Sequence, residues 1–237
     1  MLVTLATRTF TPEPTAAALR LGALARALAA GGNRVRVLTS RLAPSVARDA
    51  ASSADDPHGP TPLEREGGTQ GQGAPAETGN GEGGHGLVEV RRAPVLRDKT
   101  GAVRGYVSYL SFDLPLIARL LTGARPDVVV SEPPPTTGAA VRLACALRRL
   151  PYVYYCADIV SDAAALAGVP RPIVRAVAAL ESFALRGARS VIAVSDGVAR
   201  RARDLGAKRV VVVPNGVRVP EAVAGGVPEG FPSCTGP

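Results

Sequence analysis

The fold is decided by residues 2–39, which read LVTLATRTFTPEPTAAALRLGALARALAAGGNRVRVLT. The apolar run at 2–6 is typical of a buried strand, and the two prolines within 11–15 end it. Leucine and alanine then recur at helical spacing until Gly31, a residue typical of helix ends. A second strand is predicted at 34–39. This order predicts a βαβ unit, in which the two strands are parallel.

The same alternation of short apolar runs and helical segments continues towards the C-terminus. Further strands are predicted at 87–90, 127–131, 152–156, 190–194 and 209–213, and helices at 106–121 and 138–149, over much of 159–185, and after Ser195. A stiff turn is predicted at 132–137, and Thr15 is predicted to cap the first helix. The predicted fold class is therefore α/β, with a doubly wound, Rossmann-like parallel sheet. In such sheets the functional residues lie outside the carboxyl ends of the strands.

Residues 42–86 differ from the rest in composition. They are rich in Gly, Ala, Ser, Pro and acidic side chains, without hydrophobic periodicity, so we predict a disordered loop inserted into the domain. A GxGxxG pattern at 79–84 follows no predicted strand and carries no weight. Both histidines, His58 and His85, lie in this segment, and no metal site is predicted from them.

The overall composition limits the class of protein. Three cysteines without CxxC spacing argue against a disulfide framework or zinc site and favour a reducing, cytoplasmic setting. No secretory signal and no run of about 18 apolar residues is found. The net charge of +8 indicates either anionic partners or an arginine-rich solvated surface. Nucleic acid is the least favoured partner, because no recognition motif accompanies the charge.

Several polar residues stand at predicted strand ends, where a doubly wound sheet places its site. The predicted candidates are Glu13, Pro14, Thr15, Ser131, Pro134, Asp158, Asn215 and Gly216. No GxGxxG follows the first strand, and neither a P-loop nor a GxSxG elbow is found, which disfavours a dinucleotide-binding protein, a P-loop nucleotide-binding protein and a serine hydrolase.

Four stretches in this order and spacing resemble a known family. They are 10–39, 127–134, 154–162 and 181–217. Together they are similar to the N-terminal, acceptor-side domain of retaining family-4 glycosyltransferases with the GT-B fold. Within that family they look like the amino-sugar transferase subgroup, which acts on polysaccharide and lipid-carrier intermediates.

The resemblance implies roles for the strand-end residues. Asp158 is expected to be catalytic, orienting or polarising the acceptor hydroxyl; the alternative for Asp158 is a helix-capping carboxylate. Acceptor binding is expected from Glu13, Pro14, Thr15, Ser131 and Pro134, and the hinge to a second domain from Asn215 and Gly216. Glu181 is expected to be a structural ion-pair partner.

The resemblance also implies domain boundaries within the chain. Residues 1–217 are expected to form the glycosyltransferase N-terminal domain and 218–237 a truncated linker, with the C-terminal, donor-binding domain absent. Glu221 and Glu229 have the family's E-x7-E spacing, which we interpret as coincidence among glycines and a proline. No metal or resident cofactor is expected, and the full enzyme is expected to use a nucleotide-sugar donor. The chain alone is expected to be inactive or to depend on a separate donor-binding chain.

Two alternatives stay open. The chain could instead be a non-catalytic module that binds an anion or a lipid phosphate. The basic and aromatic residues of 91–112 suggest a peripheral contact with the inner face of the membrane, a lipid-phosphate acceptor site, or an ordinary amphipathic helix with a solvated face. The expected acceptor is accordingly a glycan or a lipid-linked molecule.

Overall fold

The computed structural model describes residues 1–53, 87–98 and 105–215. The strands within these ranges are β1 (Leu2–Ala6), β2 (Arg34–Ser40), β3 (Val88–Ala93), β4 (Val128–Ser131), β5 (Tyr152–Cys156), β6 (Ser190–Ala193) and β7 (Val210–Val212). The helices are α1 (Ala16–Ala30), α2 (Pro44–Ser53), α3 (Tyr106–Thr122), α4 (Pro135–Arg148), α5 (Val160–Leu166), α6 (Arg171–Gly187) and α7 (Asp196–Asp204).

The strands form one sheet in the order β3-β2-β1-β4-β5-β6-β7, and every pair is parallel. β1 and β4 are neighbours at the centre, although more than 120 residues separate them; Ala6 pairs in register with Ser131. The predicted doubly wound α/β class is therefore confirmed. The strand order reverses between β1 and β4, which is where such sheets bind their ligands.

The core has a layer on each face of the sheet because side chains alternate along a strand. Val129 and Tyr154 pack with the apolar residues of α3, α4 and α6, whereas Val130 and Tyr155 pack with those of α1. α4 approaches the sheet closely: a Cβ on Gly138 would lie 2.5 Å from the Tyr154 ring. Glycine at 138 therefore lets this helix reach the sheet.

The loop predicted for 42–86 is partly wrong, because α2 occupies Pro44–Ser53. Proline is favoured in the first helical turn, where its missing N–H costs nothing. The helix was missed because the low-complexity composition of the residues beyond it led to the prediction of a loop. The rest of the predicted loop, 54–86, lies outside the described residues, as do 218–237 and both histidines.

The stiff turn predicted for 132–137 is also shorter than expected. α4 begins at Pro135, not at residue 138, and Pro134 is its N-cap. The three consecutive prolines were interpreted as a turn, whereas the third of them starts the helix in the position that proline favours. Thr15, in contrast, caps α1 as predicted, since its side chain accepts a hydrogen bond from the Ala18 N–H at 3.1 Å.

Glu181 holds α5 and α6 together. α5 follows Ile159, whose side chain cannot cap a helix. Glu181 of α6 is 1% exposed, and its carboxylate accepts hydrogen bonds from the Val160 N–H at 2.7 Å, the Ser161 N–H at 3.1 Å and the Ser161 hydroxyl at 2.6 Å. It therefore satisfies donors that a helix N-terminus leaves open. Glu181 is a structural residue, as expected, but through capping and not through an ion pair.

Two further observations apply to the described residues only. None of their helices is long and apolar enough to cross a membrane. They also contain no cluster of three or more His, Cys, Asp or Glu side chains with the arrangement of a metal site.

We predict that Glu181→Ala lowers the free energy of unfolding by about 2–4 kcal/mol, because three buried donors lose their acceptor. Urea unfolding followed by circular dichroism measures this change. The matched control is Ser182→Ala on the same helix, which removes a single hydrogen bond to the Leu205 carbonyl and should cost about 1 kcal/mol. Equal losses in the two variants would contradict the capping role.

Candidate functional site

A cleft of about 500 Å³ lies at the carboxyl ends of β1, β4 and β5. Its walls come from the segment after β1, the first turn of α1, the residues just after β4 and β5, the start of α2 and one arginine after β3. The lining residues used below are Thr7, Arg8, Thr9, Glu13, Pro14, Thr15, Arg20, Arg97, Glu132, Pro133, Ala157 and Asp158. The cleft therefore occupies the switch point of the sheet.

Glu132 forms the floor of the cleft between β1 and β4. It is 5% exposed. Its Oε2 accepts a hydrogen bond from the Thr7 hydroxyl at 3.1 Å, and its Oε1 pairs with Arg20 Nη2 at 3.4 Å. Burial raises the pKa of Glu132, opposed by the Thr7 hydrogen bond and by Arg20.

Glu13 stands on the opposite wall and is also buried. Arg97 Nη2 lies 3.2 Å from its Oε1, so an ion pair joins the turn before α1 to the segment after β3. Burial raises the pKa of Glu13, and the charges of Arg97 and Arg92 act against the rise. Pro14 and Thr15 continue this wall, which brings three of the predicted acceptor residues together.

Arg8 supplies a positive charge whose hydrogen-bonding capacity is not used up. Its guanidinium lies 3.9 Å from the centre of the Tyr109 ring, a cation–π contact. Its Nε and Nη1 are buried and have no hydrogen-bond partner in the part of the chain that the structure describes. Burial lowers the pKa of Arg8, while Tyr109, Asp113 and Glu132 oppose this. A guanidinium in this state can hold an anion in the cleft.

Asp113 lies close to Arg8 and stabilises the helices next to the site. It is 3% exposed, and its Oδ1 accepts a hydrogen bond from the Thr137 hydroxyl at 2.7 Å. Burial raises the pKa of Asp113, opposed by the hydrogen bond from Thr137 and by the charge of Arg8. The contact ties α3 to the start of α4.

Asp158 is exposed at the end of β5 and lines the cleft beside Glu132. Its charge is near enough to add to the rise in the pKa of Glu132, whose largest cause is burial. Asp158 does not cap a helix in the structure. Ile159 is the N-cap of α5, and the first N–H groups of α5 donate to Glu181. The Asp158 carboxylate therefore faces the cleft.

Other predicted residues lie elsewhere. Ser131 is fully buried and Pro134 is buried at the start of α4, and the lining of the cleft contains their neighbours Glu132 and Pro133 instead. Asn215 is exposed and its Oδ1 accepts a hydrogen bond from the Tyr155 hydroxyl at 3.1 Å, while Gly216 lies outside the described residues.

The sequence prediction missed Arg8, Arg20, Glu132 and Arg97. Glu132 directly follows a strand and could have been found by the strand-end rule. Arg20 is one turn into α1 on the face that meets the cleft. Arg97 could not have been found, because its pairing with Glu13 joins residues 84 positions apart.

A cleft lined by carboxylates and arginines over the switch point of a parallel α/β sheet defines a small-molecule binding domain of the Rossmann-like class. Residues 15–216 match the model of the "Glycosyl transferase 4-like domain" family. The chain belongs to this family. No curated protein matches the sequence.

Solved structures share the fold. Sucrose-phosphate synthase from Thermosynechococcus elongatus is 12% identical with a TM-score of 0.55, and the match covers 91% of this chain and 48% of that one. Anabaena HepE in complex with UDP and glucose is 19% identical with a TM-score of 0.51, covering 92% and 45%. Arabidopsis thaliana UGT89C1 complexed with UDP-L-rhamnose is 12% identical with a TM-score of 0.52, covering 93% and 53%. This chain therefore spans about half the length of these proteins.

We predict that Glu132→Gln makes stability less dependent on pH. Burial raises the pKa of Glu132 above its value in the unfolded chain. The stability linked to its proton is therefore present below the unfolded pKa and is lost as pH rises through the folded pKa. Without the carboxyl group, the free energy of unfolding should fall less between about pH 4 and about pH 7.

Urea unfolding of both proteins at several pH values measures this slope. An equal or steeper fall in Glu132→Gln would contradict a raised pKa at this position.

Proposed function

We propose that this chain is the acceptor-binding domain of a glycosyltransferase. In this proposal a lipid-carrier or glycan acceptor binds in the cleft, and a sugar from a nucleotide-sugar donor is transferred to it with retention. The observation that carries the proposal is the cleft itself, with Glu13, Glu132 and Asp158 facing arginines at the switch point in a glycosyl transferase 4-like domain.

Asp158 is the residue to which we assign the acceptor hydroxyl. It is the exposed carboxylate of the three, whereas Glu13 and Glu132 are buried and paired with Arg97 and Arg20. An exposed carboxylate at a strand end can accept a hydrogen bond from an incoming hydroxyl and orient it for attack. Glu13 and Glu132 then position their arginines around the acceptor.

One arginine of the cleft favours a phosphorylated acceptor. Arg20 and Arg97 are already paired with carboxylates, so their charges are largely balanced. Arg8 has two buried guanidinium nitrogens without a hydrogen-bond partner among the described residues. A phosphate can accept from several such donors at once, which a neutral hydroxyl cannot do. A lipid-linked sugar phosphate therefore suits the site better than an uncharged glycan.

We predict that the chain binds glucose 1-phosphate, used as a soluble probe, more tightly than glucose. Arg8→Gln should weaken phosphate binding by about tenfold, because a charge-assisted hydrogen bond is lost. Isothermal titration calorimetry measures both affinities. The matched control is Arg26→Gln, which removes an arginine from the exposed side of α1, outside the cleft lining. Equal binding of the two probes, or equal effects of the two variants, would count against an anion subsite at Arg8.

The donor sugar nucleotide is proposed to need a second domain or chain. The neighbours with UDP, glucose or UDP-L-rhamnose bound are about twice as long as this chain. The 237 residues on their own should accordingly give no sugar transfer from UDP-glucose in a product assay by mass spectrometry. Turnover by the isolated chain would overturn this expectation, and loss of that turnover in Asp158→Ala would still support the role of Asp158.

A second candidate is a non-catalytic module that binds an anion or lipid phosphate. The unpartnered guanidinium nitrogens of Arg8 favour it, since they serve binding without chemistry. The two candidates differ when a donor-binding domain is supplied in trans. Transfer that depends on Asp158 supports the acceptor domain of an enzyme, whereas phosphate binding without transfer supports the module. In either case a lipid-linked ligand would place the chain at a membrane surface.

A further inference from the structure

Helix α3 carries large apolar side chains on its outer face as well as on the face packed against the sheet. Its sequence is YVSYLSFDLPLIARLLT, with Asp113 and Arg119 as the charged residues. Phe112, Leu116 and Leu120 are buried against the sheet. A helix that packs one apolar face on a domain normally presents polar residues on the other. α3 does not, so its outer face requires a separate explanation.

The outer face carries a continuous row of large apolar side chains. Val107, Leu110 and Leu114 are 70%, 52% and 63% exposed, and their spacing of three and four residues places them on one line along the helix. Leu96, 57% exposed, lies beside them because its N–H donates to the Ser111 hydroxyl at 2.9 Å. We name Leu96, Val107, Leu110 and Leu114 the α3 patch.

The neighbouring helices extend this apolar character. α3 packs against α4, and α4 against α6. These two helices expose Leu143, Leu147, Ile173 and Phe183. The three helices therefore carry seven of the large hydrophobic side chains that are exposed within the described residues, which is more than scattered surface leucines explain.

The charges on α3, α4 and α6 are of one sign at the surface. Their two acidic residues, Asp113 and Glu181, are 3% and 1% exposed and are hydrogen-bonded inside the domain. Their basic residues are Arg119, Arg142, Arg148, Arg171, Arg175 and Arg186, none of which is buried. The exposed faces of these three helices thus carry apolar and cationic side chains and no carboxylate of their own.

We propose that the α3 patch is an interfacial docking site for an anionic lipid bilayer. Leucine and valine side chains would enter the boundary between headgroups and acyl chains, and the arginines of the three helices would face anionic headgroups. The charge complementarity selects a membrane over a second copy of this cationic face, which would repel itself. The absence of a spanning helix from the described residues is compatible with this interfacial mode.

The patch lies close to the cleft. Tyr109, in the first turn of α3, stacks on Arg8, and Arg8 lines the cleft. A bilayer seated on α3 would therefore hold a lipid-linked acceptor near its binding site. This consequence rests on the proposed function, whereas the docking itself does not.

The test is co-sedimentation of the full chain with vesicles of phosphatidylglycerol and phosphatidylcholine, compared with phosphatidylcholine alone. Binding should require phosphatidylglycerol and weaken as salt is raised. The double variant Leu110→Gln/Leu114→Gln should lower the apparent affinity for anionic vesicles at least about tenfold, because two inserting side chains lose their apolar groups. Its circular dichroism melting curve should match the wild type, since both positions are exposed.

The matched control is Leu19→Gln/Leu166→Gln, which changes two leucines on α1 and α5 that are more exposed, at 65% and 91%. It should bind vesicles like the wild type. The proposal is overturned if anionic vesicles fail to sediment the chain, or if the two double variants lose binding equally. It is also overturned if light scattering finds a dimer that only the α3 variant dissociates, because the patch would then be a self-association surface. Phosphate binding in the cleft is measured separately, so failure of docking and failure of the proposed function remain distinguishable.

Discussion

The site depends on the parallel pairing of β1 with β4. This pairing brings together two segments that are 125 residues apart, and the Thr7 hydroxyl donates to Glu132 directly across it. Most other cleft residues lie beside these two segments, in the turn and helix that follow β1 and just after β5, and the start of α2 and Arg97 complete the walls. Loss of this register would move the two segments apart and abolish the cleft.

The burial of two carboxylates and their pairing with arginines together determine the electrostatics of the cleft. Glu13 and Glu132 are each taken out of water and each faces an arginine, and burial raises the pKa of both. Buried ion pairs of this kind add little net stability, because desolvation offsets the attraction. What the two ion pairs do is fix the position of each arginine relative to the cleft. Arg8, held by the Tyr109 ring, keeps two guanidinium nitrogens without a hydrogen-bond partner among the described residues.

The order of elements followed from the sequence because hydrophobic periodicity and glycine or proline breaks are local signals. β1 and β5 were predicted to the residue, and Thr15 was identified as the cap of α1. α2 was missed because a ten-residue helix lies inside a stretch of low-complexity composition. The start of α4 was misplaced because proline is favoured both in turns and in first helical turns.

The candidate site was predictable only in part. The rule that strand ends carry function led to Asp158 and Glu13, which line the cleft, and also to Ser131, which is buried and does not, because the rule does not say which face a strand-end side chain takes. The pairing of Arg97 with Glu13 depends on the full three-dimensional arrangement. No local pattern encodes it.

The role of Asp158 is clarified by a residue on another helix. A carboxylate just before a helix is normally interpreted as its cap, and α5 begins two residues after Asp158. Glu181 accepts the N–H groups of α5 from inside the core, so the helix does not need Asp158. The backbone of Asp158 is held by the Cys156 thiol, which donates to the Asp158 carbonyl at 3.3 Å, while its side chain faces the cleft. An exposed carboxylate without a structural task, at the carboxyl end of a central strand, is the arrangement that favours a role in binding or chemistry over one in stability.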